Sequence, residues 1–183
     1  MSCVIDPSRP DLGGNLHHGD DRSFCPVLWR HLIERFAIDS VLDVGCGEGH
    51  AVHWFRRAGL IAMGIDGLSD NVDRAVTPIA RHDLTTGPFV MPVDMVWSCE
   101  VAEHIDEAHV DHYLDTLSNG IVVAMTHATP GQGGYHHVNE QPWQYWAEKM
   151  YDRGYEVAWS HDAYRRLELT TYFSQSGLLF LRR

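Results

Sequence analysis

Ser40-Val-Leu-Asp-Val-Gly-Cys-Gly-Glu-Gly49 is the stretch on which the fold turns. The apolar run Ser40 to Val44 breaks into glycines at 45, 47 and 49, and a second amphipathic stretch follows around Ala51 to Arg57. That pattern reads as strand, tight loop, helix. Glycine suits such a loop because the chain must turn sharply and let its backbone approach a ligand. In open α/β sheets, ligands bind outside the carboxyl ends of the strands, which is where this loop lies. A dinucleotide fingerprint would require glycine at position 50, where His50 stands. Asp43 and Glu48 add negative charge, so a pyrophosphate is poorly served and a neutral or cationic ligand fits better. An NAD-dependent oxidoreductase is therefore disfavoured.

The flanking sequence continues the alternation. Pro26 opens a lead helix in which Leu28, Trp29, Leu32, Ile33 and Phe36 recur at steps of one, three and four. Beyond the glycine loop come a strand at Leu60 to Ile65, a short helix near Ser69 to Ala75, a weak strand near Ile79 to Arg81 and a strand at Met95 to Ser98. Val110, Tyr113, Leu114 and Leu117 mark a helix face, and Gly120 to Met125 is a fifth strand. A helix from Gln141 to about Arg153 precedes Tyr155 to Trp159 and, after a loop without a helix, Gly177 to Leu181. Strands alternating with helices imply a parallel sheet, and two strands joined directly imply an antiparallel pair. The expected fold is α/β: a doubly wound, mostly parallel seven-stranded sheet with an antiparallel C-terminal edge pair, in three αβα layers. Residues 1–183 are expected to form a single domain, with 1–25 as an N-terminal arm or lid and 40–183 as the core.

Composition limits the partners. Twenty-five acids against fourteen Lys and Arg leave a net charge of −11, which repels polyanions, so nucleic acid is disfavoured. A 183-residue chain can bury roughly 70% of its unfolded surface and needs no disulfide or metal staple. The cysteines at 3, 25, 46 and 99 form no C-x-x-C pair and read as reduced thiols. No signal peptide or membrane-length apolar run is visible, so a cytoplasmic location and no membrane partner are expected. The oligomeric state is left open.

Nineteen residues after Gly47 the second strand ends in Asp66, the spacing at which such folds set a carboxylate on ribose hydroxyls. With the glycine loop, this makes the chain resemble the class I S-adenosylmethionine-dependent methyltransferases, from about Ser40 to Arg183. The resemblance implies a Rossmann-like methyltransferase fold and S-adenosyl-L-methionine as cofactor, with S-adenosyl-L-homocysteine as product. It places Asp43, Gly45, Cys46 and Gly47 along the methionine and ribose, and Asp66 with Gly67 on the ribose diol. His82, Asp83 and Leu84 would bracket the adenine, with Asp83 receiving its exocyclic amine. Ser98 and Glu100 would complete the cofactor site.

The fourth strand delivers Ser98, Cys99 and Glu100 to the same edge of the sheet. If a helix starts there, Glu100, Glu103 and His104 share one face at i, i+3 and i+4. This pattern resembles the fourth motif of small-molecule O- and N-methyltransferases. It also resembles metal-dependent RNA 2′-O-methyltransferases, in which two glutamates, the histidine and a later loop histidine hold a divalent ion. Here His136 or His137, in the Gly-rich stretch Thr126 to Pro142, offers the later imidazole. No metal is assigned, although a divalent ion remains an alternative.

Methyl transfer from a sulfonium is an in-line displacement, so the protein must position the reactants and, for a hydroxyl, remove one proton. His104 and His137 are the candidate proton acceptors, because imidazole titrates near neutrality, and Glu100 is the candidate orienting group. The favoured reading is transfer to oxygen or nitrogen of a small or sugar-like acceptor. The alternatives are the metal-dependent RNA 2′-O-methyltransferase and a catalytically silent donor-binding module. Of thirteen histidines, His82, His104, His127, His136 and His137 are expected near the donor, and His31, His53, His109 and His112 away from it. His17, His18, His50 and His161 are placed at its margins, with His161-Asp162 as an acceptor-pocket candidate. Asn15 to Asp21 is either a lid or a disordered tail, and Trp143, Trp146, Ala147 and Met150 form a core stripe.

Overall fold

A computed structural model describes residues 4–159, 163 and 166–183. Seven strands form one sheet: β1 (Ser40–Val44), β2 (Ile61–Asp66), β3 (Ala80–Arg81), β4 (Val93–Ser98), β5 (Gly120–Met125), β6 (Tyr155–Trp159) and β7 (Leu178–Arg182). Their spatial order is β3-β2-β1-β4-β5-β7-β6. The first five run parallel, and β7 enters antiparallel between β5 and β6. The parallel strands therefore all release their chain at one edge.

Helices cover both faces, as a buried parallel sheet requires. Side chains alternate along each strand, so the two faces collect different residues. Val41, Met95, Trp97, Val122 and Ala124 pack against α1 (Pro26–Phe36) and α2 (His50–Arg57). Leu42, Val44, Val96, Val123 and Met125 pack against α4 (Val110–Leu117) and α5 (Trp143–Asp152). A short helix, α3 (Ser69–Asp73), follows β2. Trp146 and Met150 of the expected core stripe are fully buried, but Trp143, at the first residue of α5, is 43% exposed.

One expectation fails at the C-terminal end. The connection between β6 and β7 contains a five-residue helix, α6 (Tyr172–Ser176). Thr171 caps it, its hydroxyl accepting from the Ser174 amide at 3.3 Å. Phe173 anchors it by stacking on Trp97, ring centroids 5.4 Å apart. A helix shorter than two turns leaves no periodicity in the sequence, and packing rather than propensity holds it. No helix among the described residues is long and apolar enough to cross a membrane.

Trp29 is the hub of the first face. It is fully buried on α1, with Phe24, Trp54, Phe55 and Trp97 all at ring-centroid distances of 4.9 to 5.5 Å. Trp29→Ala leaves a cavity that these rings cannot refill, and is expected to lower unfolding free energy by about 3–5 kcal/mol in urea titrations.

Candidate functional site

The carboxyl edge of the sheet carries a cleft of about 1000 Å³. Its floor is the glycine loop. Gly45, Gly47 and Gly49 adopt positive φ of 70°, 54° and 78°. The Gly45 and Cys46 amides both donate to the Ile65 carbonyl, at 2.9 and 3.0 Å, fastening the loop to the end of β2. A Cβ at Gly45 would fall 2.4 Å from Val101, so this position tolerates no side chain on steric grounds as well as conformational ones.

Asp66 is buried beside the loop. Its Oδ2 accepts from the Gly47 amide at 2.9 Å, and its Oδ1 from the Leu68 amide at 2.9 Å and from Asn71 Nδ2 at 3.0 Å. Burial nevertheless pushes its carboxyl up to about 6. Asp43, on β1, is pushed up to about 8, by burial first and by Asp66 second. Every predicted cofactor residue lines the cleft except Ser98. Ser98 is fully buried, donating to the Val44 carbonyl at 3.1 Å and accepting from the Tyr113 hydroxyl at 3.0 Å. It ties β4 to β1 and α4 and does not line the cleft.

Asp83 lines the cleft but is already engaged by the protein itself. Arg9, from the N-terminal arm, donates to its Oδ2 at 2.6 Å, and the Thr85 amide and hydroxyl donate to its Oδ1. These contacts, Arg9 foremost, hold the carboxyl far below the usual range. One oxygen of the predicted adenine contact is therefore taken by the protein's own guanidinium. His82, expected beside the adenine, pairs with the Gly87 carbonyl at 2.9 Å.

The Glu-x-x-Glu-His segment also departs from expectation. No helix starts at Glu100. Its φ is 57°, its amide donates to Thr126 Oγ1 at 2.7 Å, and that hydroxyl donates to the Glu100 carboxylate at 2.9 Å. Thr126 thus removes Glu100 from the turn, and a 3-10 helix begins only at Ala102. Glu103 is fully buried, and among the described residues neither carboxylate oxygen meets a partner at good hydrogen-bond geometry. Burial, then the charge of Glu100, pushes it up to about 8. Burial pushes His104 down to about 4, so it is neutral at pH 7.

The later loop brings His137 to this turn. Val138 and Asn139 amides donate to the Glu103 carbonyl, and the His104 and His137 rings lie 5.2 Å apart, edge to face. Glu140 gathers the Gly131 and Gly133 amides at 2.8 and 2.6 Å and the His137 Nδ1 at 3.3 Å. Donation from Nδ1 leaves His137 Nε2 as the acceptor nitrogen. One ligand atom each of Glu103, His104 and His137 lie within 4.8 Å of one another. An unpartnered buried carboxylate beside two imidazoles is a donor set that a divalent ion would fit.

The histidines sort differently from expectation. His127 is buried, its ring 6.4 Å from that of Trp146, and does not line the cleft. His53 and His109, read as remote, do line it. His161 and Asp162 lie outside the described residues. The arm is ordered against the site: Leu12 packs over Gly67, and Glu48 receives His17 Nδ1 and the His18 amide, each at 3.0 Å. Arg9 and Thr126 reach the site through contacts distant in sequence and Asn71 through Asp66 five residues before it, and no motif marks them.

A family model described as a methyltransferase domain matches residues 17–178. No curated protein sequence matches the chain significantly. Among solved structures, magnesium protoporphyrin IX methyltransferase from Synechocystis PCC 6803, with bound SAH, is similar at TM-score 0.69 and 16% identity, covering 100% of this chain and 90% of that one. The sugar N-methyltransferase KedS8 from Streptoalloteichus sp ATCC 53650 gives 0.68 and 15%, covering 100% and 97%. The methyltransferase domain of bacterial CtHen1-C gives 0.61 and 17%, covering 88% and 98%.

Proposed function

The chain belongs to the methyltransferase-domain family, and on that premise we propose that it transfers the methyl group of S-adenosyl-L-methionine to oxygen or nitrogen of a small or sugar-like acceptor. The observation that carries this reading is the pairing of the glycine loop with two buried carboxyls, Asp43 and Asp66, in one cleft. Backbone there comes close enough to cradle a ligand, and the acids favour a cation such as a sulfonium. Among the cleft-lining residues Arg57 is the only Arg or Lys, against ten Asp and Glu, which suits a cationic donor and an uncharged or cationic acceptor. Similar folds crystallised as a sugar N-methyltransferase and as a porphyrin methyltransferase with SAH support the cofactor and the class of acceptor.

In this reading the acceptor atom attacks the methyl carbon in line, the carbon–sulfur bond breaks, and its electron pair stays on the neutral sulfur of the product. For a hydroxyl acceptor, one proton passes to a neutral imidazole. His137, oriented by Glu140, is proposed as the proton acceptor, and His104, whose basicity burial lowers, as a group that orients the acceptor. Glu100, fixed by Thr126, orients the acceptor.

A second reading rests on the Glu103, His104 and His137 cluster: metal-dependent 2′-O-methylation of RNA. A divalent ion held there would act as a Lewis acid on the acceptor hydroxyl. The net charge of −11 and the near absence of basic residues around the cleft weigh against RNA.

Calorimetry with S-adenosylhomocysteine tests the donor site: binding is expected, and Asp66→Ala should weaken it by about 1–3 kcal/mol, the cost of leaving a buried polar partner unpaired. No binding at millimolar donor would overturn the proposal, and binding without transfer to any of a panel of sugars and amines would favour a silent module. Donor binding should also depend on pH. Asp43 and Asp66 hold protons up to about 8 and about 6 in the empty site, and a sulfonium beside them favours their ionised forms. S-adenosylmethionine should therefore expel protons on binding and bind more tightly as pH rises from about 6 to about 8. S-adenosylhomocysteine, with a neutral sulfur, should show a smaller effect, and heats measured in phosphate and in Tris separate the two. Finally, turnover should survive EDTA. Turnover lost in EDTA, restored by manganese and absent in Glu103→Gln would favour the metal reading.

A further inference from the structure

Asn71 lies on α3, only 1% exposed, on a five-residue helix whose other polar side chains face outward or half outward. A buried amide must find partners for two donor hydrogens and an acceptor oxygen. Here they come from two places. Asn71 Nδ2 donates to Asp66 Oδ1 at 3.0 Å and to Asn15 Oδ1 at 3.2 Å, while Asn71 Oδ1 accepts from Asn15 Nδ2 at 2.9 Å. The orientation is dictated by chemistry: an ionised Asp66 only accepts, so Asn71 must turn its NH₂ toward it, which leaves its oxygen for Asn15.

Asn15 belongs to the N-terminal arm, and the arm is a coherent unit. The Val4 amide donates to the Asn15 carbonyl at 2.8 Å and the Gly14 amide to the Val4 carbonyl at 2.9 Å, closing residues 4–15 on themselves. The same unit sets Leu12 over Gly67 and Arg9 on Asp83. Asn15 also lies nearest to Gly47 of the glycine loop, its Nδ2 3.5 Å from where a Cβ would stand. The arm thus meets the proposed donor site at Gly47, Gly67 and Asp83, and among the described hydrogen bonds it reaches Asp66 through Asn71.

We infer that Asn71 is a positioning residue that couples docking of the N-terminal arm to the Asp66 contact with the donor. The inference rests on the proposed donor site. Asn71 fixes the Asp66 carboxylate in the rotamer that presents it to the cleft, and Asn15 fixes Asn71 only while the arm is docked. Donor binding and arm docking then stabilise each other, and by linkage the effect runs both ways. A purely structural amide would give neither coupling nor a response of the arm to ligand.

The test is a double-mutant cycle in the full chain, using S-adenosylhomocysteine as probe, with calorimetry for affinity and hydrogen exchange for the amides of residues 9–18. Asn15→Ala and Asn71→Ala should each weaken binding about three- to tenfold, the equivalent of one hydrogen bond. The double variant should be little worse than the weaker single, because both remove the same link. Ligand should slow exchange of the arm amides in the wild type, and this protection should vanish in both single variants. Full additivity, unchanged affinity in Asn15→Ala, or retained protection in the variants would overturn the inference. Asn15 lies on the arm, outside the core, so Asn15→Ala decides the matter even if Asn71→Ala fails to fold. Wild-type protein that does not bind the probe would instead count against the donor site itself.

Discussion

The carbonyl of Ile65 is the point on which the site depends. It accepts both the Gly45 and the Cys46 amides, and so clamps the end of β1 to the end of β2 beyond their last register pair, Val44 with Ile65. Parallel pairing alone would align the strands and leave the following loops free. The double acceptor converts that alignment into a rigid corner. Because Gly45 is pinned at positive φ, the chain turns back and offers the Gly47 amide to Asp66, which puts backbone donor and carboxylate at one place. Sequence separation between Gly47 and Asp66 is bridged by two adjacent strands and one carbonyl.

What this corner holds is energetically expensive. Asp43, Asp66 and Glu103 are all buried, and among the described residues none faces a lysine or arginine at ion-pair distance. A buried carboxylate without a countercharge resists ionisation, and burial is the first cause of the upward shift in each. Folding alone has no use for three such groups, since apolar residues of similar volume would pack at lower cost. Under the proposed function the glycine-loop pair gains from the sulfonium of the donor, and perturbed acids gathered in one cleft suit such a site.

The parts legible in the sequence are those encoded by neighbours along the chain. Glycine spacing, the carboxylate at the end of β2 and the strand–helix alternation all arise within about twenty residues, so pattern alone reveals them. The residues whose setting differs from the expectation share the opposite property. Ser98 lies at the expected strand end but is consumed by Val44 and Tyr113, and Asp83 follows β3 as expected but meets Arg9, seventy-four residues earlier. Glu100 fits a helical spacing that Thr126, from the neighbouring strand end, overrides. In each case local identity was right and a distant partner decided the role. The short helix α6 escaped for a related reason: its stability comes from Phe173 on Trp97, a contact across the fold.

The same distinction separates the two halves of the cleft. The half proposed for the donor is built from strand ends whose positions the sheet imposes, so its residues cannot drift without disturbing hydrogen-bonded register. The half proposed for the acceptor is bordered by a loop, residues 126–142, held by a few contacts of its own. Glu140 collects Gly131, Gly133 and His137, and the Glu103 carbonyl receives Val138 and Asn139. Four of the five bonds take a backbone amide of the loop, so its path depends on few of its side chains, Glu140 foremost. The corner is thus set by strand geometry, and the loop beside it by contacts of its own. Glu140 joins two amides of the glycine segment to the His137 imidazole that faces His104, so the path of this loop past the Glu103 turn rests on its carboxylate.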